Sequence, residues 1–76
     1  MQDLHVSKWF DRVEYKERVV LFDEADGMGY GTHVEIEREG KRVRFWGHYN
    51  MSFDKAFADF NTRFADIEKY REFSLV

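Results

Sequence analysis

The chain reads as an α+β fold: an antiparallel sheet of three to four strands, in the order β-β-β-α, with one long C-terminal helix packed on one face. Two patterns predict it. The segment Thr32–Tyr49 alternates with period two on both sides of a Glu39-Gly40 turn. The segment after it places Phe53, Phe57, Phe60, Phe64 and Ile67 at three- and four-residue steps, with Ala56 beside them.

The length of 76 residues predicts one domain spanning 1–76. A chain this short buries a modest fraction of its surface and needs a rich core or some other support. It has no cysteine, which excludes disulfides and thiolate metal sites. The support must come from its 8 Phe, 4 Tyr and 2 Trp, since large rings bury much apolar area per residue. So small a body is not expected to hide them all, which predicts some rings at the surface or in an interface.

In chain order, Val13 to Asp23 is rich in Val, Leu, Phe and Tyr and reads as a strand, starting at Val13 or after a bend near Lys16–Glu17. Its centre, Val19-Val20-Leu21-Phe22, is apolar without alternation, so both of its sides should be covered. The N-terminal segment or a second subunit would cover the second side. Residues 1–12 fit two patterns. Leu4 and Val6 alternate like a strand, whereas Val6, Trp9, Phe10 and Val13 step like a helix. Asp23 to Gly31 is a loop punctuated by Gly27, Gly29 and Gly31.

In the hairpin, Val34 and Ile36 must share a face with Phe45 and Val43, which demands an even-numbered loop. A two-residue loop, Glu39-Gly40, or a four-residue loop, Arg38 to Lys41, satisfies this. Glu39 suits poorly the positive φ of the tighter turn. Either loop pairs Glu37 with Arg42 and Glu35 with Arg44 on the outer face. The same register sets His33 opposite Trp46, with His48 as its diagonal neighbour. Asn50 or Ser52 can cap a helix over about 52–72, with Asp54 in the favoured first turn and Asp59–Arg63 as a supporting pair on its outer side. The Phe stripe should lie across Val34, Ile36, Val43 and Phe45.

Net charge is −3, from 12 basic and 15 acidic residues, interspersed. That describes a mixed, mildly acidic surface and makes nucleic acid an unexpected partner, because non-specific binding wants a basic excess. No apolar run approaches a membrane span, and Met1 to Phe10 lacks a signal-peptide core, so no membrane role and a cytoplasmic location are expected.

The chemistry-bearing motifs are weak. Gly27-Met28-Gly29-Tyr30-Gly31 leads into a strand, whereas a phosphate cradle leads into a helix N-terminus. Asp23, Glu24 and Asp26 fail the EF-hand spacing, which would need acids where Phe22 and His33 stand. His33 and His48, with Glu35 nearby, are candidate zinc or nickel ligands, or else two histidines beside a Trp. Ser7, Ser52 and Ser74 have no nucleophile context, and no enzyme is expected.

Trp46 has two readings: packing in a second core beneath the N-terminal segment, or the centre of an exposed patch. The patch reading predicts a small non-catalytic protein-binding module: an adaptor, an inhibitor of a host or partner protein, or an oligomer subunit. Trp46, His33, His48, Met28 and Tyr30 would make contact, with Glu35 and Arg44 setting register, and the partner would be another protein or a second copy as a homodimer. The alternatives are single-stranded nucleic-acid binding through Trp46, Arg42 and Arg44, and a metal site at His33 and His48; no cofactor is expected. The order of strands, Gly47-His48-Tyr49 and an aromatic-rich helix loosely resembles small phage-encoded or mobile-element proteins. Several of those are compact acidic inhibitors of host systems, and the resemblance implies a binding function.

Overall fold

In the computed structural model, five antiparallel strands and one helix form the predicted α+β architecture. It describes residues 1–74, with side chains through Lys69. The strands are β1 (Gln2–Val6), β2 (Phe10–Asp11), β3 (Lys16–Asp23), β4 (Tyr30–Arg38) and β5 (Lys41–Met51), and the helix is α1 (Phe53–Ser74). The sheet order is β1-β3-β4-β5, with β2 also paired to β3. Among the described residues no helix is long and apolar enough to cross a membrane.

The count exceeds the expected three to four because residues 1–12 extend the sheet instead of covering it. Val6 pairs with Val20 and Phe10 with Glu17, so β1 and β2 together line one edge of β3. Ser7 bridges the break between them. Its amide donates to the Val19 carbonyl, and its hydroxyl accepts from the Val19 amide, each at 2.9 Å. The Leu4/Val6 alternation was the correct signal.

The hairpin has the register that its two patterns demand: Val34 opposite Phe45, Ile36 opposite Val43, Glu35 opposite Arg44 and Glu37 opposite Arg42. Arg38 pairs with Lys41, so the loop is Glu39-Gly40, with φ of 54° and 78°. The strands' right-handed twist selects this turn over the Glu39 preference. Farther along, the register shifts twice, and Thr32 pairs with His48 and Tyr30 with Met51. The expected facing of His33 and Trp46 is therefore replaced by a bulge in which Trp46 and Gly47 together oppose His33.

Helix α1 starts at a Ser52 cap, whose hydroxyl accepts from the Lys55 amide at 3.3 Å and whose carbonyl accepts from the Ala56 amide at 2.9 Å. It crosses the face that carries Val19, Leu21, Thr32 and Val34. The Phe stripe is rotated from its expected position. Ala56 is fully buried, yet Phe53 and Phe57 remain 40% and 41% exposed, their rings stacked 5.9 Å apart and flanked by His5. Asp59 and Arg63, expected on the outer side, turn toward the sheet. Val43 stays largely exposed at the far end of the hairpin.

The other face of β3 is closed by side chains, and the described residues form no second layer there. Phe22 stacks on His33 at 4.3 Å and meets Tyr49 at 5.9 Å. Arg18 and Arg44 both grip Glu35 at 2.7 Å, and Arg44 also reaches Asp3 at 2.6 Å. Asp3 and Arg44 belong to opposite edge strands, which in a flat sheet of this order lie about 14 Å apart. Their contact requires the sheet to curl over this face, as strongly twisted sheets do. Beneath the bridge lie Val20 and Phe22, fully buried.

Candidate functional site at the β5 bulge

The seven residues expected to make contact through the outer sheet face and the glycine-rich loop are distributed over three places. His33, Glu35 and Arg44 belong to the curled face. Trp46 and His48 lie on the helix side of β5. Met28 is exposed in the glycine loop, and Tyr30 is half-buried with its ring against Phe53 at 5.3 Å.

On the curled face, Glu35 is only 3% exposed and is held between two guanidinium groups. Burial alone would raise its carboxyl pKa, but the hydrogen bonds from Arg44 and Arg18 outweigh that and hold it below the usual carboxylate range. Asp3 is also lowered, chiefly by its hydrogen bond from Arg44, and the two carboxylates raise Arg44 in return. His33 is buried, with Nε2 2.8 Å from the Tyr49 hydroxyl. Burial, then the charges of Arg44 and Arg63, push its pKa down. These groups are committed to one another.

Trp46 is different. It adopts a φ of 55°, a conformation uncommon for any side chain and an outlier for a bulky one. The reason is local. At Gly47 a Cβ would fall 2.3 Å from the Tyr49 hydroxyl, so the bare glycine lets Tyr49 fold back along the curled face to His33. That turn of the chain swings the Trp46 indole to the helix side. It stands edge-on to Phe45 at 4.5 Å and is 72% exposed.

Two clefts border the indole. One, of about 460 Å³, lies between Val34, Gly47, His48, Arg63, Asp66 and Ile67. The other, of about 420 Å³, lies between Tyr15, Glu17, Asp66 and Ile67. At the rim, Asp59 Oδ2 accepts from the Thr32 hydroxyl at 2.5 Å, from His48 Nδ1 at 2.9 Å and from Arg63 Nε at 3.3 Å. Burial would raise the Asp59 carboxyl, but the bonds from Thr32 and His48 outweigh it and lower its pKa. One carboxylate thus ties α1 to β4 and β5 and fixes the His48 ring. The arrangement resembles a histidine–carboxylate dyad, but the carboxylate is shared among three donors and acts as a clasp.

This geometry corrects two expectations about these residues. His33 and His48 lie on opposite faces of the sheet, so the pair cannot ligate one ion. Among the described residues no group of three or more His, Asp or Glu side chains is arranged to hold a metal ion. Trp46 also lies on the opposite face from Arg42 and Arg44. Of the two, Arg42 lies 5.4 Å from the centre of another ring, Trp9, which it shares with Arg18 at 4.3 Å and Lys16 at 5.0 Å. Sequence reasoning missed the helix residues Arg63, Asp66 and Ile67 as neighbours of Trp46. The available signal was Gly47 beside Trp46, since a glycine inside a strand marks a bulge.

Comparison with known protein families, with curated proteins and with solved structures finds no match to this chain.

Proposed function

We propose that the chain is a small non-catalytic protein-binding module whose contact surface is the Trp46 corner. The observation that carries this reading is the combination at Trp46: a bulky residue kept in a left-handed conformation, exposed, lining two clefts. Left-handed backbone costs roughly 1–2 kcal/mol for a residue with a Cβ. Packing of the indole does not repay that cost, since most of it faces solvent. Strain held at an exposed aromatic supports a role in recognition. Tryptophan is among the residues enriched at the energetic centres of protein interfaces. His48 and Arg63 at the rim supply polar contacts held in place by Asp59.

The test pairs two substitutions with an affinity capture from cell extract. Trp46→Ala and Trp46→Gly should both lose a partner that the wild type retains. Val13→Ala, at an almost fully exposed position that lines neither cleft, should keep it. Trp46→Gly should melt at or above the wild-type temperature, because glycine carries no penalty at this φ. A partner retained by both Trp46 variants, or a chain that both variants unfold, sinks the reading.

A further inference from the structure

Beside the Trp46 corner, β5 presents the longest open edge of the sheet. Its stretch Lys41–Phe45 is regular, with no shift of register, and among the described residues it pairs only with β4. The opposite edge is shorter and interrupted: β1 has five residues with an irregularity between Asp3 and His5, and a gap separates it from β2.

Charge on the curled face alternates strand by strand. In one row Asp11 of β2 pairs with Lys16 of β3, Lys16 with Glu37 of β4, and Glu37 with Arg42 of β5. In the next, Arg18 pairs with Glu35, and Glu35 with Arg44. Each β4 carboxylate is flanked by cations on both sides, Glu37 by Lys16 at 2.8 Å and Arg42 at 3.1 Å. Both rows end on a cation at the β5 edge. Arg42 is more than half exposed there; it shares the Glu37 carboxylate with Lys16 and lies 5.4 Å from the centre of the Trp9 ring. Lys41 adds a further positive charge at the same edge.

We infer that the β5 edge takes an extended acidic segment of a partner protein as a sixth strand, continuing the alternation with a carboxylate opposite Arg42; Arg44, held by Glu35 and Asp3, offers its main chain alone. The inference rests on the reading of this end of the molecule as the binding surface, and it names the partner's chemistry. Main-chain hydrogen bonds supply affinity in strand addition, and alternate side chains supply specificity. After a two-residue hairpin turn, the ladder alternates so that Arg38–Lys41, Ile36–Val43 and Val34–Phe45 exchange their main-chain bonds. Arg42 and Arg44 therefore turn their own N–H and C=O outward. A segment alternating acidic and apolar residues would set an acid over Arg42. Its apolar side chains would fall beside Val43 and Phe45, next to the Trp46 indole.

A second copy does not fit the same edge. Antiparallel self-pairing about a two-fold axis at Arg42 or Arg44 sets that arginine against its own counterpart. An axis at Val43 sets Arg42 against the other copy's Arg44. Like charges directly opposite are destabilising in a sheet.

The experiment titrates the intact protein with two short capped peptides, one alternating Glu and Val and one alternating Lys and Val. Amide hydrogen exchange is followed by NMR. The acidic peptide should slow exchange at the Arg42 and Arg44 amides and leave the β1 amides unchanged, and the basic peptide should do neither. Arg42→Ala removes the charge and keeps the amide, whereas Arg42→Pro also removes the donor at an edge position that tolerates proline. The acidic peptide should bind Arg42→Pro about tenfold more weakly than Arg42→Ala. Absence of protection, equal binding of both peptides, or protection confined to β1 overturns the proposal. So does a homodimer by sedimentation whose Arg42 and Arg44 amides are protected without peptide. Loss of partner capture in Trp46→Ala, with no peptide protection at β5, would leave the Trp46 corner standing and remove strand addition alone.

Discussion

His33 shows how one side chain links local packing to solution behaviour. Its ring is sandwiched between Phe22 and the edge of Tyr49, and its pKa is lowered by burial and by the nearby Arg44 and Arg63. A base with a folded-state pKa below its unfolded value binds fewer protons in the fold. Its contribution to stability is then complete above the ordinary imidazole value, about 6.5, and is lost as pH falls toward the folded pKa. Melting followed by circular dichroism should therefore show stability decreasing as pH is lowered from about 6.5. His33→Gln should remove that part of the slope while leaving the loss at lower pH, where Asp3, Glu35 and Asp59 take up protons. An unchanged slope in His33→Gln would assign it to another group. None of this was legible in the residue itself. His33 reads as an outer-face histidine in sequence, and it is on that face; only the curl of the sheet and the returning Tyr49 bury it.

At the scale of elements, the hairpin was the most legible part of the chain. Its near half, from Val34 to Phe45, carries two independent patterns, apolar and charged, and both agree with the observed register. The far half was misread because each bulge inserts one residue and inverts every later side chain. His48 moved to the helix face for that reason, and the expected His33–Trp46 pair dissolved. The turn itself offers a clean measurement. Glu39 sits at a φ of 54°, in a position that prefers asparagine or glycine. Glu39→Asn should stabilise the protein by about 0.5–1 kcal/mol in urea unfolding, with no change in the hairpin's register. A destabilised Glu39→Asn would show that Glu39 makes a compensating contact. The helix was legible in extent but not in rotation. Its stripe suggested a purely apolar buried face, whereas Asp59 and Arg63 share that face to hold Thr32 and His48.

For the whole molecule, the informative feature is how a sheet with one helix covers its second face. Asp3, Arg44, Glu35 and Arg18 span all four principal strands with paired charges over Val20 and Phe22. Deleting one member of a buried pair typically costs roughly 3–5 kcal/mol, and the partial exposure of Arg44 places Glu35→Ala at or below the low end. Replacing the cluster together, as Arg18→Met, Glu35→Leu and Arg44→Met, should recover most of the loss, since it leaves no unpaired buried charge. Chemical denaturation of the single and triple variants checks this. A triple variant less stable than Glu35→Ala would mean that the bridge to Asp3 is needed to hold the sheet's curl.

The sequence by itself determined the α+β class, the helix, and the central register of the hairpin. Those features rest on local periodicity, which neighbouring residues share along the chain. Only the tertiary structure decided where the second side of β3 finds its cover, which face carries Trp46 and His48, and which edge remains open. Those outcomes depend on two bulges and on the curl of the sheet. Each is set by contacts between residues distant in sequence, such as Asp3 with Arg44 and His33 with Tyr49, that leave no periodic trace.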